Sequence, residues 1–115
     1  MKKFILFLIV ITSLCANIFS QSKWTRIINS LGNQEEYSNS IAVDSLGNIY
    51  STGAKENPLP RIQTIKLNSF GNLLWENVIP AVSGSWIGYS VVCRNNNSIL
   101  VSGFGQDSSF ILNFN

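Results

Sequence analysis

Few side chains in this 115-residue chain have the chemistry to act on a substrate, and histidine, the usual general base and metal ligand, is absent. The Ser-His-Asp logic of nucleophilic hydrolysis therefore has no base. Six carboxylates are left to consider: Glu35, Glu36, Asp44, Glu56, Glu76 and Asp107. Glu35 and Glu36 are adjacent, and neighbouring side chains on an extended segment point to opposite sides, so they do not make the facing pair that glycoside hydrolysis uses. They are expected at a solvated loop edge. Asp44 opens the run Asp44-Ser45-Leu46-Gly47-Asn48, which has the outline of an acidic calcium loop, but one carboxylate is far short of the roughly six to eight oxygens that calcium takes. Asp44 is expected to close a turn.

Two other side chains invite a functional reading. Trp86 sits among small residues in Ser83-Gly84-Ser85-Trp86-Ile87-Gly88-Tyr89, where it could stack on a sugar ring or cover the edge of a core. Covering is favoured, because a lectin-like aromatic would recur in each repeat and the residue fifty positions earlier is Glu36. Cys93 aligns with Val43 and reads as a small buried apolar group rather than a reactive thiol. The sequence thus predicts no catalytic, cofactor-binding or metal-ligating residue.

What positions these side chains is a repeat. Ser40 to Ala54 (SIAVDSLGNIYSTGA) returns in pattern at Ser90 to Phe104 (SVVCRNNNSILVSGF), and the strand-like run headed by Trp24 returns at Trp75. A period near fifty points to stacked β-units, of which propeller blades are the commonest kind. Short runs rich in Ile, Val, Leu, Tyr and Thr, separated by Gly, Asn, Asp and Ser, give an antiparallel meander. The predicted strands are Trp24 to Ile28, Ser40 to Val43, Ile49 to Gly53, Ile62 to Leu67, Leu73 to Ile79, Tyr89 to Cys93, Ile99 to Gly103 and Phe110 to Leu112. In Leu73 to Ile79 both faces are largely apolar, which predicts a strand covered on both sides. The turns at Asp44 and Asn68 each place a glycine where positive φ is needed, and the turn Arg94 to Ser98 puts asparagine in that place.

Ahead of the repeat stands an export signal. Lys2 and Lys3 precede an apolar run from Phe4 to Leu14 and a short polar exit from Ala16 to Ser20, the layout of a secretory signal peptide. Its apolar core is about half the roughly twenty residues a membrane-spanning helix needs, so no stable membrane span is expected. Cleavage is placed after Ser20, with Ala16 as a second cut. Cys15 raises a lipoprotein alternative, disfavoured by the bulky Leu14 before it. Removing 20 of 115 residues leaves 95, one domain at most, with six basic and six acidic side chains and one cysteine, Cys93. Neutrality argues against nucleic acid as a partner. A lone cysteine excludes an intrachain disulfide.

The segment NSIAVDSLGNIYSTG, followed by IQTIKLNSFGNLLWENVI, resembles the bacterial β-propeller repeat family of large exported and cell-surface proteins. Asp44, Gly47, Asn48, Gly53, Gly71 and Trp75 match its pattern, and the second copy is degenerate, with only Ser90, Ile99 and Gly103 identical over fifteen aligned positions. The first half is also similar to NHL blades, and the Gly71-to-Trp75 spacing to quinone-dependent dehydrogenase blades. The resemblance implies an all-β fold of four-stranded antiparallel propeller blades, about two of them, over residues 21–115. An incomplete propeller of this kind is expected to be part of a longer protein, to self-assemble, or to stand as a marginal sheet. The expected role is non-catalytic, scaffolding or surface interaction with a protein or glycan partner. The alternatives are a carbohydrate-binding module and a fragment of a quinone-dependent dehydrogenase.

Overall fold

The computed structural model describes residues 25–28, 35–56, 58–80 and 83–115. The expected export signal and Trp24 lie outside these residues. Seven strands follow in order: β1 (Glu36–Val43), β2 (Ile49–Glu56), β3 (Pro60–Leu67), β4 (Leu73–Ile79), β5 (Trp86–Asn95), β6 (Ser98–Gly105) and β7 (Ser108–Phe114). They form two antiparallel meanders, a four-stranded sheet β1-β2-β3-β4 and a three-stranded sheet β5-β6-β7. The described part is all-β, with strands at seven of the eight expected places.

The two sheets share one register. In the first, Ser40 pairs Thr52 and Val43 pairs Ile49; fifty residues on, Ser90 pairs Ser102 and Cys93 pairs Ile99. Both first strands, β1 and β5, bulge at the same point, between Ser38 and Ser40 and between Gly88 and Ser90. Each bulge carries the partner strand's glycine under a backbone carbonyl: a Cβ on Gly53 would overlap the Tyr37 oxygen, and one on Gly103 the Ile87 oxygen. The third strands match at a spacing of forty-seven, Leu67 with Phe114, because the turn from Gly105 to Ser108 is three residues shorter than the link from Lys55 to Arg61. That short turn holds Gln106 at φ 33° and Asp107 at φ 66°, the two left-handed residues of a type I′ hairpin.

The turns at Asp44 and Asn68 are built alike. Gly47 and Gly71 take φ of 78° and 81°, as the sequence requires. In each, the backbone amides two and four residues on donate to the side-chain oxygen of the opening Asp44 or Asn68, at 2.9–3.0 Å. The turn Arg94 to Ser98 differs from expectation. None of its asparagines takes positive φ; the register slips between Cys93 and Asn95, Asn95 pairs Ser98, and the Asn97 N–H donates to Asn95 Oδ1 at 3.0 Å. Without a glycine, the chain shortens the turn by a bulge instead of entering the left-handed region.

The core lies between the sheets. Tyr50 of the first is buried against Val91, Ile99 and Val101 of the second, with Ala42, Trp75, Cys93, Leu112 and Phe114 around them. Trp75 meets Tyr50 at 6.3 Å and Phe114 at 6.2 Å between ring centroids, so this tryptophan wedges between the sheets. Two further expectations fail. Residues 25–28 form no strand. β4 is not covered on both sides: Leu74 is exposed and Trp75 half-buried, because β4 is an edge strand facing a sheet only three strands wide.

Candidate functional site

A buried concentration of charged and polar side chains sits where the two repeats join, and it is built on the Asp44 turn. Asp44 is 8 % exposed, and its Oδ1 accepts the Leu46 and Asn48 amides while its Oδ2 accepts Asn48 Nδ2 at 2.9 Å and lies 3.1 Å from the Tyr50 hydroxyl. Burial pushes this carboxyl up, but the hydrogen bonds from Asn48, Leu46 and Tyr50 outweigh it and hold the group below its ordinary range. Both oxygens are committed to protein donors, which makes Asp44 the clasp of a turn.

Strand alternation carries Tyr50 and Lys66 from the same pleat towards the second sheet, since Tyr50 pairs Lys66 across β2 and β3. The Tyr50 hydroxyl reaches the Asn96 carbonyl at 2.9 Å, and Lys66 Nζ stands 3.4 Å from that oxygen and 5.0 Å above the Tyr50 ring. Ser45 Oγ adds a bond to Asn96 Oδ1 at 2.5 Å. The clasp of the first repeat thus grips the turn of the second. Sequence reading missed Lys66, although its parity with Thr64 and Ile62 in the run Ile62 to Leu67 placed a cation on the inward face.

A second charged group lies at one end of the outward face of the first sheet. Lys55 Nζ bridges Glu76 at 2.9 Å and Glu36 at 3.4 Å, and Gln63 Nε2 donates to Glu76 Oε1 at 2.9 Å. The hydrogen bond to Glu76 raises the Lys55 ammonium above its usual value, and the same bond lowers Glu76. Glu36 is therefore half-buried in β1, not at a solvated loop edge, while Glu35 is exposed and meets Glu56 through its backbone carbonyl. The two do not converge on one point.

Trp86 lies across Gly105, stacks on Phe110 at 5.5 Å between centroids and donates its indole N–H to the Ser83 carbonyl at 2.9 Å. Cys93 is half-buried on the inward face; burial first, and then the Asp44 charge, raise its thiol. Among the described residues no three of the His, Cys, Asp and Glu side chains cluster as a metal site would. The arrangement can lock two like-built sheets together.

Neither the curated proteins nor the solved structures compared with the chain contain a significant match. Residues 23–54, which span β1, the Asp44 turn and most of β2, match the family described as the beta-propeller repeat. That segment holds the bulge and the strand glycine that the second sheet reproduces, and through it the chain carries the likeness of the beta-propeller repeat family.

Proposed function

We propose that this chain is an exported, non-catalytic β-propeller repeat protein that acts as a scaffold or surface-interaction unit, alone or within a longer propeller. One observation carries the reading: two sheets that share a register over their first two strands, stacked so that the Tyr50 hydroxyl and the Lys66 ammonium of one meet the turn of the other. Tyr50, held by Asp44, and Lys66 clasp the neighbouring turn, and Lys55 and Glu76 hold each other within the first sheet. A glycan reading would want an open aromatic face, whereas Trp86 is packed on Phe110 over Gly105. Export rests on the positive start and apolar run of Met1 to Ser20.

The test is expression of the full chain in a bacterial host with a C-terminal tag. The expected product has lost residues 1–20, begins at Gln21, is recovered outside the cytoplasm and unfolds in one cooperative transition. A cytoplasmic product that keeps Met1, or two separate transitions for the two sheets, overturns the reading.

A further inference from the structure

Residues 25–28 join neither sheet, yet they lie over one of them. Arg26 and Ile28 line a hollow of about 320 Å³ on the outward face of the first sheet, where Ile41, Ile49, Ile65 and Leu67 form the floor. Ile27, between them, is 81 % exposed. Side chains that turn in, out and in again over three residues mark an extended chain laid along a surface. Leu67 is only 6 % exposed on this face, although the second sheet packs against the other.

β4 presents its side chains to the second sheet in the same order. Trp75, Asn77 and Ile79 pair Lys66, Thr64 and Ile62 and share their inward face, and Trp75 leads, with its ring 6.2 Å from that of Phe114. Phe114 holds the place in the second sheet that Leu67 holds in the first, since each pairs the opening isoleucine of its neighbour, Ile99 or Ile49. Trp24, Arg26 and Ile28 stand fifty-one positions ahead of Trp75, Asn77 and Ile79. The segment over the hollow thus repeats the order of β4, indole first. From Arg26, one more step of two residues, about 7 Å, carries Trp24 to the side on which Arg26 and Ile28 stand.

We infer that Trp24 is the side chain that fills this hollow, with its ring against Ile49 and Leu67, so that the segment from Trp24 to Ile28 seals the outward face of the first sheet from within the chain. The floor beneath it is aliphatic, and an indole laid there removes about 150–250 Å² from water. Each sheet is then covered by a tryptophan that precedes it in the chain, Trp24 ahead of β1 and Trp75 ahead of β5. The face so closed is not available to a partner. The inference stands apart from the export reading, because Trp24 follows Ser20 and stays on the product whether or not the signal is removed.

The test labels the full chain with 5-fluorotryptophan, so that Trp24, Trp75 and Trp86 each give one fluorine resonance, assigned through the three single Trp→Phe variants. The Trp24 resonance is expected away from its position in the unfolded chain, and its shift on exchanging water for deuterium oxide should be as small as that of Trp75. Ile41→Ala, at the rim of the hollow, should move the Trp24 resonance and leave that of Trp86 in place, whereas Val92→Ala on the far face of the second sheet should move neither. In equilibrium denaturation Trp24→Ser should lower the folding constant about a hundredfold. Ile27→Ser, the neighbour that points away, should change it about twofold at most. A Trp24 resonance at the unfolded position with the full solvent shift overturns the inference, and so does one that ignores Ile41→Ala, or a Trp24→Ser chain as stable as its parent. Should Trp24→Ser fail to fold, the spectrum of the unaltered chain and its response to Ile41→Ala decide the matter.

Discussion

Ser40 Oγ accepts the Val91 N–H at 3.2 Å across the two sheets, and Val91 occupies in the second repeat the place of Ile41 in the first. The Ser40 side chain thus serves the joint between repeats rather than the strand it sits on. Ser40→Ala removes the partner of a part-buried amide without opening a cavity. The expected loss is about 1 kcal/mol. Chemical denaturation should show a lower midpoint with an unchanged slope, whereas an unchanged midpoint would mean that water satisfies this amide.

Asp44 governs the acid limb of stability. Its carboxyl lies below the ordinary carboxylate range when folded, so its contribution is fully present above that range and is lost as pH falls through the lowered value. Asp44→Asn keeps an oxygen for the two amides, as Asn68 does in its own turn. It gives up the charge that meets Asn48 Nδ2 and Tyr50. About 1 kcal/mol should be lost near neutrality for Asn and about 3 kcal/mol for Ala, which strips every acceptor. Melting temperature followed from pH 7 to pH 3 should fall less for the Asn variant than for the parent. The slope that remains belongs to Glu76, also lowered, first by its hydrogen bond with Lys55 and then by that with Gln63. A parallel curve would mean that Asp44 titrates alike in the folded and unfolded chain.

Most of the architecture was legible because it rests on local rules. Period-two alternation and the glycine turns fix β2, β3, β4 and β6 to within a few residues, and the fifty-residue echo gives a common register before any coordinate. Most of the errors share a cause, which is position within the assembly. The alternation of Leu73 to Ile79 describes the strand's two faces but not whether a neighbour stands opposite, and the second sheet ends before it can cover β4. The run Thr25 to Ile28 reads as the counterpart of the strand headed by Trp75, yet it forms no strand here. The clasp was hidden because Lys66 and Asn96 lie thirty residues apart and meet only once the sheets stack. The outcome at Arg94 to Ser98 turned on a choice between two permitted backbone routes, which the residue types alone leave open.

Gly53 and Gly103 are fixed by the bulges and not by φ, which separates them from the turn glycines. Alanine at Gly53 would drive a methyl into the Tyr37 carbonyl, and alanine at Gly103 into that of Ile87. Neither backbone can yield without undoing the bulge. Each should cost about 3 kcal/mol or more. Gly47→Ala strains a left-handed residue and meets only the Ser69 Cβ at 3.2 Å, so about 1–2 kcal/mol is expected. Equilibrium denaturation of the three variants should rank Gly47→Ala as the mildest. The opposite order would show that turn conformation outweighs the bulge.

Tyr50 and Lys66 offer the sharpest check that the clasp acts as a unit. The ammonium lies 5.0 Å above the Tyr50 ring and 3.4 Å from the Asn96 oxygen that the Tyr50 hydroxyl also reaches, so each side chain fixes the other's target. Lys66→Met keeps the apolar stem and removes the charge; Tyr50→Phe keeps the ring and removes the hydroxyl. With Tyr50→Phe the ring still faces Lys66, while Asp44 Oδ2 loses one of its two partners. Each single change should cost about 1–2 kcal/mol, and the double mutant should cost less than their sum by about 0.5–1 kcal/mol. Strict additivity in the denaturation cycle would mean that Tyr50 and Lys66 grip Asn96 independently. The buried polar joint would then be two separate contacts that share an acceptor.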